Sequence, residues 1–367
     1  MSERVPCVFG SPARWNSARV RLDPPLRPAW SLPNDDLVNP VILGDGRAFC
    51  VSDPRGLVAL DAASGRELWR QETLSGWGSC QLIEGGLLST LRPGVLTLLD
   101  PTSGRELAAY EVTDIHLHYG VVAGNRVVNP FADGSIGVWD LAARTFSWRV
   151  PAAWSAKLLA TDGQNVCLYE RDACVMLDLA TGAERWRFDV TELGRHTVLV
   201  GDERAGSVVG HPIIAGNCVY IGVTGGWLVA LDTASGAVRW KTHVGRIAPN
   251  NFALAPNDEL LFLGDGALVT LDARTGAIRS RHEFVTADDA IDDGPYAPMA
   301  PTERYVWTVD RGGRLVAISR DAGRVYFSVE LDGRVASPPS IADGRLFVVD
   351  LDGQLTVFAS ASAEGAA

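Results

Sequence analysis

Two histidines one residue apart, in the stretch DIHLHYG, come nearest in this chain to residues whose type and spacing could do chemistry. His116 and His118 stand at the start of an extended segment, where side chains two apart leave the backbone on one side, so both imidazoles face the same way. With His211 or His196 from a later insertion they could form a three-histidine metal site. Alternatively one ring could act as general base, with Tyr296 as the complementary acid or base, in a lyase, cyclase or isomerase acting on a small molecule. A second cation candidate is TADDAIDDG, where Asp289, Asp293 and Gly294 fit the beginning of an EF-hand loop. Ile291 breaks its third position, and Ala300 stands where the closing Glu belongs. The plainer alternatives are histidines lining a wet opening and an acidic run, Asp288, Asp289, Asp292 and Asp293, facing solvent. No HExxH, GxSxG or CxxC motif decides between them.

The elements that must position these residues are repeats. An Asp ends a short apolar run at Asp61, Asp100, Asp140, Asp178, Asp232 and Asp272, and degenerate copies place Ser319 and Ala359 there. The spacings are 39, 40, 38, 54, 40, 47 and 40 residues, so one unit of about 40 residues with two long insertions fits every copy. Four residues after the anchor comes Gly65, Gly104, Gly182, Gly236, Gly276 or Gly323, with Arg144 as the exception. Four further on comes Trp69, Trp148, Trp186 or Trp240, replaced by Ala108, Ser280 and Phe327. Glycine suits a tight turn at positive φ, so the unit reads strand, turn, strand, with two more short strands upstream. Four strands a to d per copy, eight times over and without helical periodicity, predict an all-β, eight-bladed β-propeller of four-stranded blades. The last copy lacks an outer strand, while RPAWSLP with Trp30 precedes the first. The N-terminal segment is therefore expected to supply strand d of the last blade and close the ring. The expected organisation is a tail at 1–27, one propeller at 28–359 and a tail at 360–367.

The net charge of −11 excludes a basic surface for nucleic acid or an anionic membrane, and no apolar run approaches a membrane span. Cys7, Cys50, Cys80, Cys167, Cys174 and Cys218 show no paired spacing and read as reduced, buried thiols. Without an apolar leader at the N-terminus the expected location is cytoplasmic.

The signature ALDxxSGxxxW and its relatives resemble the pyrroloquinoline-quinone (PQQ) repeat family of eight-bladed propellers over roughly residues 28–359. In one branch, the quinoprotein alcohol and glucose dehydrogenases, the central channel holds PQQ and calcium, and the alcohol-oxidising members set adjacent cysteines against the cofactor. This chain has no adjacent cysteines, so PQQ is not expected, nor any other cofactor beyond a divalent metal at His116, His118, Asp289 or Asp293. The other branch, exemplified by the propeller lipoprotein of the outer-membrane barrel-assembly machine, is non-enzymatic and grips partner proteins. In size and motif the sequence is similar to that branch, although Cys7, preceded by six residues that include Glu3 and Arg4, does not read as a lipid acceptor.

In such a propeller the d to a loops share one face with the b to c turns, and the c to d turns face the other way. Both insertions, 188–211 and 283–298, are d to a loops and so decorate one face. Aligned copies place Asn39, Gly78, His118, Ala156, Gly210, Asn251, Tyr296 and Ser337 around the channel mouth, with Trp77, His116, Trp154, His211, Arg246, Asn250 and Arg334 just outside. Trp77 and Trp154 fall outside the repeat position and are candidate anchors for a partner; Trp139, Trp227 and Trp307 belong with the core. The expectation is a non-catalytic binding propeller, monomeric or weakly dimeric, that captures a protein segment or small ligand on this face through Asn39, Trp77, His118, Trp154, Arg246, Asn250, Asn251, Tyr296, Arg334 and Ser337. The enzyme reading above is the alternative.

Overall fold

The strands that the sequence marks as apolar runs are buried on both sides, because each is covered by the blade before it and the blade after it. In blade 1, Phe49, Cys50 and Val51 on strand b and Leu57, Val58, Ala59 and Leu60 on strand c are all nearly inaccessible. Strand d, at the rim, has partly exposed residues throughout, as in Glu67–Gln71. The computed structural model describes residues 21–32, 41–52, 56–72, 79–113, 115, 117, 120–131, 133–151, 159–170, 172–193, 195–199, 202–205, 208–247, 251–283, 299–310, 313–333, 335 and 339–360. Among them, eight four-stranded antiparallel sheets follow one another as blades. Seven take their strands in chain order, and the innermost strand of blade 1, Ile42–Gly44, touches those of blades 2 and 8, Cys80–Ile83 and Ser340–Ala342. A ninth sheet is a hairpin of Arg195–Leu199 with Asp202–Ala205, so the first long insertion is partly folded rather than a plain loop.

The c to d turn explains the Asp anchor. Asp61 Oδ1 accepts the Ser64 N–H at 2.8 Å and the Ser64 hydroxyl at 2.7 Å, while Gly65 donates to the Asp61 carbonyl from a φ of 72°. The same geometry recurs at Asp100 and Asp232 with Ser103 and Ser235. In blades 4, 5 and 6 an arginine on strand d completes it: Arg185, Arg239 and Arg279 each reach the anchor Asp at 2.5 Å. Those guanidiniums, aided by the turn N–H and hydroxyl groups, hold the carboxyls of Asp178, Asp232 and Asp272 down to about 2.

The glycine and the tryptophan of neighbouring copies form one joint. The indole of Trp148 on blade 3 lies against Gly182 of blade 4, where an added Cβ would stand 2.6 Å from the ring, and its Nε1 donates to the Leu179 carbonyl at 2.9 Å. Trp30, Trp69, Trp186 and Trp240 repeat this on Gly65, Gly104, Gly236 and Gly276, donating to the carbonyls of Ala62, Pro101, Thr233 and Ala273. Two of the exceptions in the sequence, Ala108 and Arg144, turn out to be two halves of the same joint. Blade 2 has Ala108 for Trp and blade 3 has Arg144 for Gly, and the Arg144 guanidinium lies over the Tyr110 ring at 5.2 Å. Between blades 6 and 7, His282 on strand d takes the place against Gly323.

The ring closes as the sequence predicts: Leu26–Leu32 pairs with Leu355–Ser360 as strand d of blade 8. The segment before that strand also belongs to the propeller, although it was expected to lie in the tail. Leu22 is 1% exposed among core residues of blades 7 and 8, and the Ser360 hydroxyl donates to the Asp23 carbonyl at 3.0 Å. At the blade 6–7 seam, buried Arg320 is bound to Asn257, Glu259 and the carbonyls of Thr302 and Glu303. Cys50, Cys80, Cys167, Cys174 and Cys218 are buried thiols, and burial in apolar surroundings pushes Cys80 and Cys167 up. Cys7 lies outside the described residues.

Two outcomes follow. Trp148→Ala is expected to cost about 3–5 kcal/mol in denaturant unfolding, and Gly182→Ala roughly 1–3 kcal/mol through the ring clash and the φ of 74°. The anchor carboxyls are depressed from 3.8, so their contribution is fully present above the unfolded pKa and disappears as pH falls towards about 2. The difference in melting temperature between the wild type and the triple variant Asp178→Asn, Asp232→Asn, Asp272→Asn should be constant above about pH 5 and shrink between pH 4 and 2.

Candidate functional site

The face built by d to a loops and b to c turns is best described at blades 5 and 6. The chain leaves strand d of blade 5, Val238–His243, and must drop back to strand a of blade 6, Phe252–Leu254. Val244 donates to the Gly226 carbonyl at 2.8 Å, and the Arg246 N–H donates to Asp265 Oδ2 at 2.6 Å, fixing the loop to the b to c turn of the next blade. Gly245 passes so close to that carboxylate, at a φ of 122°, that no side chain fits. Ile247 is buried at the blade 5–6 joint and anchors the loop from below.

This arrangement assigns roles to three predicted site residues. Arg246 is exposed, its side chain 67% accessible and 3.9 Å from Asp265 Oδ1. Asn251 is 3% exposed, donates to the Arg246 carbonyl at 3.3 Å and accepts from the Leu263 N–H at 2.9 Å, which makes it a brace of the loop rather than an open contact. His211 is half-buried on strand a of blade 5, Val208–Ala215, in the stretch between Val209 and Ile213 where the register slips. Asn39, Trp77, His116, His118, Trp154, Asn250, Asp289, Asp293, Tyr296, Arg334 and Ser337 lie outside the described residues. The loop carrying His116 and His118 joins blades 2 and 3, whereas His211 belongs to blade 5, so blade 4 separates the elements of that proposed triad. Among the described residues no group of three or more His, Cys, Asp or Glu side chains is placed to hold a metal ion, and no helix is long and apolar enough to cross a membrane.

Three features of this face were missed from sequence. Trp227, assigned to the core, is half-buried at the start of strand c of blade 5, edge-on to His243 at 5.4 Å and under Lys241 Nζ at 5.5 Å. Its signal was the pair Gly225 and Gly226, at φ of 88° and 93°, just before it. Leu351, on the b to c turn of blade 8, is 60% exposed. On blade 3 the Arg149 guanidinium stacks on Phe131 at 4.1 Å and reaches Asp133 at 2.8 Å. Asp133 is held at about 2, first by the Ser135 hydroxyl and then by the Ser135 N–H and Arg149. Further in, Gln81 of blade 2 donates from Nε2 to the carbonyls of Leu117 and Gly120 at 2.9 and 2.8 Å, while Ile115 and Leu117 are buried at the blade 2–3 joint. The HLHYG stretch is thus anchored at Ile115, Leu117 and Gly120.

Comparison with known proteins places this geometry in context. The family described as outer membrane protein assembly factor BamB matches residues 27–279 and 264–366. The outer membrane protein assembly factor BamB of Bordetella pertussis is 25% identical over 277 residues, covering 63% of this chain and 69% of its own length. Among solved structures, BamB from Moraxella catarrhalis superposes with a TM-score of 0.62 at 16% identity, covering 91% of this chain and 99% of that one. The quinohemoprotein alcohol dehydrogenase of Comamonas testosteroni gives 0.68 at 13% identity, covering 97% and 80%. At such identities the solved structures speak for the fold alone. The cytoplasmic location expected from sequence is overturned by the family match, since the matched family and the curated relative are outer membrane protein assembly factors. The expectation rested on the N-terminal residues alone, and an acidic composition and buried thiols suit either compartment.

Gln81→Ala removes two buried hydrogen bonds, to the carbonyls of Leu117 and Gly120, and should cost about 1–3 kcal/mol in urea unfolding, and Gln81→Glu, which cannot donate from its carboxylate, should not restore it.

Proposed function

The chain belongs to the outer membrane protein assembly factor BamB family, and from that premise we propose that it is a non-catalytic scaffold in outer membrane protein assembly, capturing a protein segment on its d to a face. The observation that carries this reading is the family match over essentially the whole propeller, on a chain whose repeated residues all serve the joints and turns. Fold alone would not argue it, since one propeller hosts many functions. The supporting features on that face are the inserted hairpin Arg195–Leu199 with Asp202–Ala205, exposed Arg246, the Trp227–Lys241 pair and exposed Leu351. They combine apolar and cationic contacts of the kind that anchor partner chains. Trp77 and Trp154 are proposed as further anchors, with Asn39, Asn250, Tyr296, Arg334 and Ser337 as polar contacts at the channel mouth. We assign no quinone cofactor to this role, because the adjacent cysteines that face PQQ in alcohol-oxidising relatives have no counterpart. A lyase, cyclase or isomerase at His116, His118, His211 and Tyr296 gains no support from the family match.

The test is cross-linking of the tagged chain in envelope fractions of its host, followed by mass spectrometry. Deletion of 195–205 or the pair Arg246→Glu with Trp227→Ala should reduce the cross-linked protein partner about tenfold while the melting temperature stays near that of the wild type. Undiminished cross-links in both variants would remove this face from the function.

A further inference from the structure

Blade 4 holds two thiols in contact. Cys167 lies on strand b, Asn165–Glu170, and Cys174 on strand c, Ala173–Asp178, with their Sγ atoms 3.4 Å apart. Tyr169 stands opposite Cys174 and Met176 opposite Cys167, so the two cysteines are diagonal neighbours on one face of the hairpin. That face is turned towards blade 5. Both cysteines are 0% exposed and pack with Tyr169, Met176, and Ile214, Val219 and Ile221 of blade 5. The Trp186 joint onto Gly236 closes the same interface at the rim.

A disulfide holds its sulfurs about 2.05 Å apart, so from 3.4 Å the two must close by about 1.4 Å. Diagonal partners sit further apart at the backbone than opposite ones, so the two strands must draw together slightly at this point. The sequence alone reads these thiols as reduced beside a cytoplasmic location. A role in outer membrane protein assembly puts the chain instead in a compartment where disulfides form and persist.

We propose that Cys167 and Cys174 are a disulfide-forming pair, oxidised while the chain folds in the envelope and then sealed between blades 4 and 5. The compartment rests on the scaffold reading above, and the bond rests on the thiol contact. The oxidant is a thiol–disulfide oxidoreductase carrying a reactive disulfide. One cysteine of the pair, as thiolate, attacks that disulfide, forming a mixed disulfide and expelling the oxidoreductase's other sulfur as thiolate. The second cysteine, as thiolate, attacks the Sγ of the first, forming the Cys167–Cys174 bond and expelling the oxidoreductase's remaining sulfur. Two protons leave the pair, and its two electrons reduce the oxidoreductase to a dithiol. In the closed ring this exchange has no entry, because both sulfurs are buried and burial holds the Cys167 thiol well above its usual range, where thiolate is scarce. Folding therefore fixes the redox state of the pair.

Trypsin cuts after Arg171, which puts Cys167 on peptide 158–171 and Cys174 on peptide 172–185. The full chain is unfolded in guanidinium with dithiothreitol, refolded in a mixture of reduced and oxidised glutathione, alkylated under denaturing conditions and mapped by peptide mass. The two peptides should appear joined, and Cys174→Ser should leave peptide 158–171 alkylated. The native reduced chain, given the same glutathione mixture without denaturant, should acquire the bond about tenfold more slowly. Separate alkylated peptides after refolding, or either cysteine joined to a different one, would overturn the pairing. Tagged chain taken from its host and alkylated at lysis should carry the same joined peptides. A bond on refolding with free thiols in the host sample would overturn oxidation in the envelope, and with it the compartment of the scaffold reading, while the pairing stands. If the chain does not refold from guanidinium, the host sample decides alone, and free thiols there overturn the proposal.

Discussion

The structure depends on an indole N–H that reaches into the next blade. Each blade is a small twisted sheet whose two faces are both apolar, and such a repeat cannot bury them without its neighbours. The joint supplies direction as well as area. A tryptophan on strand d lies flat on a glycine where no Cβ could be tolerated, and its Nε1 donates to a carbonyl at the c to d turn of the following blade. The hydrogen bond ties the outermost strand of one blade to the turn of the next, so the angle between blades is set at the rim, where the wedge between sheets is widest. The turn that receives it must be rigid, which explains why the Asp anchor bonds its own backbone so fully.

Once joints of this kind are chained, the ring has to meet itself, and the last joint cannot be made by consecutive sequence. Leu26–Leu32 completes blade 8 and carries Trp30 to Gly65 of blade 1, so a single strand both satisfies an open sheet edge and makes the closing joint. Leu22 and Asp23 extend the seam to blades 7 and 8, where Phe327 replaces the tryptophan. The N-terminal segment therefore stabilises the ring on both of its sides.

Much of this was legible in the sequence because the period was. Asp, Gly and Trp at fixed offsets gave strand, turn and strand, and the missing outer strand with the orphan Trp30 gave the closure. Pairings between copies were not legible. Ala108 and Arg144 read as two unrelated lapses, since the joint links position 108 of one copy to position 144 of the next and a repeat alignment compares like with like. Tyr110 under Arg144 shows that both partners changed together. Leu22 was missed for a different reason: a proline-rich neighbourhood reads as a tail, and its burial comes from blades far along the chain, at Ala300 and beyond. Trp227 was taken for core because it follows the apolar pattern of strand c, although the two glycines before it open the turn and leave its ring half exposed.

The same logic separates scaffold from site. A position that must serve a joint is fixed in kind wherever the joint is made, so a departure either has a compensating departure in the adjacent blade or opens space. Arg144 belongs to the first class. The cavity lined by Cys218 and Tyr220 between blades 5 and 6 lies beside an intact Trp240 joint, whose bond to the Ala273 carbonyl is 3.0 Å. A ring of eight near copies can thus change one wall on one face and one insertion on the other without disturbing the geometry that holds both, because the tryptophan joint passes between blades at the rim and leaves turns and loops free to differ.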